Sequence, residues 1–138
     1  MESFFNQLKN IVSASETFDR IIIIGKGNSV TSIDSSSFDN SFIINLNDSE
    51  KIHRGNLCLF RSKWVTKSLE ENGYQASNYV TVNDTMNNLA YPKEKFNFVQ
   101  YSNVSFESFD RLISNFSSRE FSLSDFLVLS ALKVANLI

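Results

Sequence analysis

The chain has 138 residues, of which 42% are hydrophobic and 20% are charged, and its formal net charge is −2 at neutral pH. This length and composition predict one globular domain with a sizeable core, and the slight acidity argues against a nucleic-acid-binding surface. The single cysteine excludes an internal disulfide framework and favours the cytoplasm, and no apolar run reaches the ~20 residues that a membrane span needs.

The first predicted elements are an amphipathic helix and a buried strand. Residues 2–15 place phenylalanine, leucine and isoleucine side chains on one helical face. Residues 20–25 follow as a strand, and the unbroken run Ile21–Ile24 within it lacks the alternation of a half-buried strand. Such a run is typical of a strand buried on both faces, so we expect it at the centre of a parallel sheet.

A glycine-rich loop follows this strand and is the first candidate binding site. Gly25 and Gly27 allow the backbone to turn and to bring its N–H groups close to a ligand, and Lys26 between them suits a phosphate. The residues from Val30 to Ser36 predict a short helix or turn, whose first N–H groups would favour an anion. The loop matches neither G-x-G-x-x-G nor a P-loop, so a purely structural turn explains it equally well.

The rest of the chain alternates strands with helices. Further strands are predicted at 41–47, 56–60, 79–82 and 96–101, and further helices at 62–72, 105–116 and 123–137. Ser62 suits the N-cap of the first of these helices, and Gly73 suits its left-handed C-terminal residue. Ser122 and Asp125 form a capping-box-like start to the last helix, which is apolar on most sides and is therefore expected to be buried. Residues 83–95 are polar and hold the only proline, which predicts a loop near the ligand edge.

This alternation predicts an α/β fold of three layers, Rossmann-like, in which a mostly parallel sheet carries helices on both faces. The chain contains no internal repeat or low-complexity linker, so a single domain is expected to span residues 1–138. A helix in such a fold normally leads into another strand, whereas the last predicted helix runs to Ile138. We therefore expect the N-terminal part of a longer protein, and a natural terminus after a docked helix is the alternative.

Three segments, taken in order, resemble the small bacterial sialyltransferases that use CMP-sialic acid. The segment from Ile24 to Asp34 is similar to the end of that family's first strand, its G-N-G-P-S-L loop and the I-D pair that follows. Residues 42–45 resemble the second strand, which ends in an asparagine facing the nucleotide. Residues 119–135 resemble an arginine, a threonine-serine-glycine sequence and an apolar helix. The resemblance extends over residues 20–138 with comparable spacing.

The resemblance implies a nucleotide-sugar-binding domain that transfers sialic acid from CMP-sialic acid to a sugar hydroxyl in surface-polysaccharide synthesis. The donor would be bound by Gly25, Lys26, Gly27, Asn28, Ser29, Asn45 and Ser124. No cofactor or metal ion is implied, and no catalytic residue is identified, since the matching stretch lacks a counterpart of the family's catalytic histidine. Two other functions stay open: a non-catalytic accessory domain joined to a C-terminal sugar-biosynthesis enzyme, and an interaction domain without a ligand.

Three departures from the family pattern affect the expected activity. Lys26 replaces an asparagine, Asn28 replaces a proline, and Asp125 stands where a glycine is expected. A carboxylate beside an anionic donor would repel it, unless the side chain serves as a helix cap. We therefore predict that this chain alone transfers no sugar.

Other chemically capable residues have ordinary structural explanations. An exposed loop position explains His53, the only histidine, better than a role as a catalytic base. Cys58 lies within an apolar strand and is expected in the core. Trp64 is expected to pack between helix and sheet rather than to serve as a stacking platform. No cluster of residues has metal-ligand spacing, so a metal site is not expected.

Overall fold

The computed structural model describes residues 3–82, 91–99, 116–119, 121, 123 and 126–138. Within these residues it contains α1 (Phe4–Ala14), β1 (Arg20–Ile24), β2 (Ser41–Leu46), β3 (Leu57–Leu59), α2 (Lys63–Glu71), β4 (Tyr79–Val82), β5 (Phe96–Val99) and α3 (Leu127–Leu137). Short 3₁₀ helices occur at Asn28–Ser32, Ser35–Phe38, Ser49–Lys51 and Lys93–Lys95. The strands and the first two α-helices confirm the predicted elements, whereas the predicted helix at 105–116 lies outside the described residues.

The five strands form one parallel sheet, and their order across the sheet is their order along the chain. Side chains alternate between the two faces of each strand. Ile44 and Leu59 pack in one core cluster with α1 and α3, whereas Cys58 and Tyr79 pack in a second cluster with α2 on the opposite face. The sheet therefore lies between two helical layers, and the predicted α/β, Rossmann-like fold with helices on both faces is confirmed.

The isoleucine run occupies a different position from the one predicted for it. In the described sheet β1 is an edge strand that pairs with β2 alone. Ile24 is buried, but Ile21, Ile22 and Ile23 are only half-buried. The prediction of a central strand is wrong because the connections all move one strand onward in the same direction, which leaves the first strand at the edge. The side chains still meet apolar partners on both faces, and this explains why the run lacks alternation.

The ends of α1 and α2 follow local rules. The Ser3 hydroxyl accepts a hydrogen bond from the Asn6 N–H and so caps α1. Gly73 follows α2 with a φ of +75°, the left-handed conformation predicted for it. Both helices bury the apolar face that their periodicity indicates, with Leu8 in α1 and Leu69 in α2 fully inside the core.

The last helix differs from its prediction in two respects. Phe126 is its N-cap, so α3 begins at Leu127 and a start at Ser122 is wrong. Complete burial is also wrong, since Val128 and Leu132 are 53% and 43% exposed. The helix covers the sheet with one face only, so its outer apolar residues face solvent.

A buried carboxylate joins the connection between β2 and β3 to the turn after α2. Glu50 is 4% exposed and accepts hydrogen bonds from Asn72 Nδ2 and from the Gln75 N–H, each at 2.7 Å. The Tyr79 hydroxyl donates to the same carboxylate. Burial and the neighbouring Glu50 raise the pKa of Tyr79, so the hydroxyl stays protonated as a donor. Elements on the α2 face are thereby held to each other by polar contacts as well as by apolar packing.

Candidate functional site

The carboxyl ends of the strands meet at one edge of the sheet because all five strands are parallel. The glycine loop leaves this edge after β1, Asn47 and Asp48 leave it after β2, and Arg61 and Ser62 leave it after β3. Open α/β sheets bind their ligands at this edge. Asp48 and Arg61 were not among the predicted site residues, although each directly follows a predicted strand.

A cavity of about 290 Å³ lies at this edge, where β2 and β3 end and α3 begins. The described residues that line it are Asn47, Arg61, Ser62 and Leu127. The Arg61 guanidinium is cationic and has planar N–H donors that match a phosphate or a carboxylate. The amide and the hydroxyl add neutral polar groups, and the leucine adds an apolar wall. This combination suits a small anionic ligand.

Local backbone geometry places Asn47 at the cavity. Its φ of +54° is in the left-handed region, which asparagine adopts more easily than most residues. Its N–H donates to the Leu59 carbonyl at 3.0 Å, and the Cys58 thiol donates to its carbonyl at 3.2 Å. The turn after β2 is therefore fastened to β3, which keeps the Asn47 side chain beside Arg61.

The glycine loop has open space around it. A Cβ added at Gly25 or Gly27 would meet no atom within 4 Å, and neither residue has a positive φ. Asn28 and Ser29 are exposed and begin a 3₁₀ helix of five residues. Neither glycine is therefore required by backbone conformation or by packing in the described residues.

Lys26 within this loop is bound to a buried carboxylate. Its Nζ lies 2.9 Å from Asp48 Oδ2, and Ser68 Oγ donates to the same oxygen at 2.7 Å. The Asp48 side chain is 2% exposed, whereas that of Lys26 is 60% exposed. Burial by itself would raise the pKa of Asp48, but the hydrogen bonds from Ser68 and Lys26 and the charge of Lys26 together lower it. The carboxylate is ionised at neutral pH and orients an ammonium group that stays open to solvent.

Asn45 is enclosed by the chain. It is fully buried, and its Nδ2 donates to Ser49 Oγ at 3.2 Å and to the His53 carbonyl at 3.0 Å. Its Oδ1 faces Gly55, where an added Cβ would overlap it. The structure thus places Asn45 on the α2 face, in register with Ile24 at the end of β1, and its contact with a nucleotide stays a prediction.

The remaining candidates do not extend the site. His53 lies on the connection from β2 to β3, with its ring 4.5 Å from that of Phe38, which precedes β2. Cys58 is fully buried, as predicted, and burial raises the pKa of its thiol. Ser124 and Asp125 lie outside the described residues. Among the residues that the structure describes, no group of three or more His, Cys, Asp or Glu side chains could hold a metal ion.

Trp64 departs from its predicted place in the core. It is 62% exposed, because α2 buries Val65 and Leu69 and leaves Trp64 on another side of the helix.

None of the helices in the described ranges is long and apolar enough to cross a membrane. Comparisons with protein-family models, with curated proteins and with solved structures each gave no match to this chain.

Proposed function

We propose that this chain is a sialyltransferase-like glycosyltransferase domain that binds a nucleotide sugar at the carboxyl edge of its sheet. The observation that carries the proposal is the cavity lined by Asn47, Arg61 and Ser62. A guanidinium beside two neutral polar groups suits the phosphodiester of a nucleotide sugar. The ordered resemblance over residues 20–138 supports CMP-sialic acid as the donor.

The position of Lys26 supports a donor with two negative charges. Lys26 follows β1 and Arg61 follows β3, and both strands flank β2. Neighbouring strands lie roughly 4.8 Å apart, so the two strand ends are about 10 Å apart. CMP-sialic acid carries a phosphodiester and a carboxylate, so a donor bound at this edge would place two negative charges near two cationic side chains.

A non-catalytic nucleotide-sugar-binding domain, joined to an enzyme domain of the same chain, is the alternative. One observation favours it: no histidine or carboxylate is among the described residues that line the cavity. Transfer to a sugar hydroxyl needs a group that accepts the hydroxyl proton. The described lining of the cavity could therefore bind a nucleotide sugar without catalysing its transfer.

A backbone NMR titration with CMP, CDP, UDP and CMP-sialic acid tests the proposal. The cytidine ligands are expected to shift the resonances of Asn47, Arg61 and Ser62, together with those of the glycine loop. Arg61→Gln removes a charged donor, so we expect a loss of affinity of about tenfold or more. Arg54→Gln is the matched control, since Arg54 contacts Ser77 on the connection before β4 and should leave binding unchanged.

Two results would contradict the proposal. One is the absence of any shift at millimolar nucleotide, which would favour an interaction domain without a ligand. The other is nucleotide binding that Arg61→Gln leaves intact, which would show that the nucleotide does not bind in this cavity. Binding of CMP-sialic acid without turnover would leave the accessory-domain alternative in place.

A further inference from the structure

Trp64 lies on the side of α2 that faces the Lys26–Asp48 ion pair. It is in the first turn of α2, one helical turn before Ser68, and residues four apart lie on the same side of a helix. Ser68 Oγ donates to Asp48 Oδ2 at 2.7 Å, so this side of α2 faces the ion pair. Side chains in a helix lean toward its N-terminus, which brings the exposed indole of Trp64 closer to the ligand edge than Ser68.

Within the described residues, the two oxygens of the Asp48 carboxylate differ in their hydrogen bonds. Oδ2 accepts from Lys26 and Ser68, whereas Oδ1 is buried and has no hydrogen-bond partner in the part of the chain that the structure describes. A buried acceptor without a donor is unfavourable, and a ligand hydroxyl would supply the missing donor. The Asp48 side chain is 2% exposed and that of its partner Lys26 is 60% exposed, so a ligand hydroxyl reaches Oδ1 only if Lys26 moves aside.

We propose that Trp64, Lys26 and Asp48 form a pyranose-binding subsite. One apolar face of the sugar ring stacks on the indole, one hydroxyl donates to Asp48 Oδ1, and a neighbouring hydroxyl accepts from Lys26 Nζ. The inference rests on the proposed function and deepens it: the α2 side of the sheet edge takes a sugar ring, whereas the cavity bordered by α3 takes the nucleotide.

Two sources can supply this ring, namely the donor sugar of a nucleotide sugar and the acceptor glycan. Both present the same chemistry, with hydroxyl groups in the ring plane and C–H groups on its face. The test therefore uses a nucleotide without a sugar, a nucleotide sugar and free methyl glycosides.

Trp64 is the only tryptophan of the chain, so its fluorescence reports on this subsite alone. A sugar-bearing ligand is expected to shift the emission to shorter wavelength, while CMP leaves it unchanged. A shift with CMP-sialic acid alone assigns the ring to the donor, and a shift with methyl glycosides assigns it to the acceptor. A shift with CMP alone, or none with any ligand, would overturn the proposal.

A substitution at the exposed indole separates stacking from folding. Trp64→Leu is expected to weaken binding of the sugar-bearing ligand about tenfold, which corresponds to ~1.4 kcal/mol, and to leave the CMP affinity unchanged in calorimetry. Leu132→Ala, at another exposed apolar position, is the matched control and should change neither affinity. Equal affinities of wild type and Trp64→Leu for every sugar-bearing ligand would refute the subsite. If Arg61→Gln leaves CMP binding intact while the Trp64 response persists, the proposed function fails and the subsite stands.

Discussion

Gly55 packs so closely against the buried Asn45 that there is no room for a side chain at position 55. A Cβ there would overlap Asn45 Oδ1 and lie 2.9 Å from the Ile43 carbonyl oxygen. Asn45 cannot move aside freely, since its Nδ2 is bound to Ser49 and His53. Close packing of the connection between β2 and β3 thus depends on a glycine outside the glycine loop.

Gly55→Ala is expected to lower the free energy of unfolding by about 1–3 kcal/mol, because extra volume in a packed interior forces its neighbours to shift. Gly27→Ala, in open space, should change it by less than about 0.5 kcal/mol. Urea unfolding followed by circular dichroism measures both. Equal unfolding midpoints for the two variants would show that the contact at Gly55 relaxes without cost.

Asp48 connects three elements of the fold. It follows β2, binds Lys26 of the loop after β1, and accepts from Ser68 of α2. Since its pKa is lower in the folded protein than its ordinary value of 3.8, the folded state binds fewer protons at this group than the unfolded state. The resulting stability is fully present above that ordinary value and is lost as the pH falls through the lower, folded pKa.

Asp48→Asn is expected to be less stable than wild type by about 1–3 kcal/mol at neutral pH, since a charged acceptor of hydrogen bonds is removed. The difference should stay constant down to about pH 5 and shrink below about pH 4. Urea unfolding of both proteins across this range measures it. Asp39→Asn controls for the loss of an exposed carboxylate. A difference that persists unchanged at the lowest pH would contradict the assignment.

The winding of the whole chain assembles the site. The strands follow one another across the sheet, so the segments after β1, β2 and β3 lie next to each other at the carboxyl edge. This brings Lys26, Asp48 and Arg61 to one edge, although 35 positions separate the first from the last. The same winding places α2 on one face, and α1 and α3 on the other.

The 138-residue chain is predicted to bind CMP-sialic acid without transferring its sugar. His53 packs against Phe38, away from the cavity, and a carboxylate with a lowered pKa, such as Asp48, is a weak base. Mass spectrometry of a galactoside acceptor incubated with CMP-sialic acid measures transfer. Sialylated product above the rate without protein would show that the chain has a general base of its own.

Local patterns predicted most elements but less of the site. The spacing of Leu8 and Ile11 and the glycine after α2 depend on neighbours in sequence, so they could be found without a structure. The partners of Lys26 and Asn45 could not, since Lys26 binds a residue 22 positions away and Asn45 packs against a glycine on another turn. The residues next to a loop side chain in sequence do not indicate which distant residue it will contact.

The sequence by itself determined the α/β class, because the periods of apolar residues and the turn-forming residues act over a few positions along the chain. Only the tertiary structure decided that the isoleucine run lies at the edge of the described sheet and that Trp64 is exposed. A run of apolar residues indicates that a strand will pack against other apolar residues. It does not indicate whether neighbouring strands lie on one side of it or on both. Strand order and helix placement supply that information, since burial is a property of the assembled layers and not of the segment.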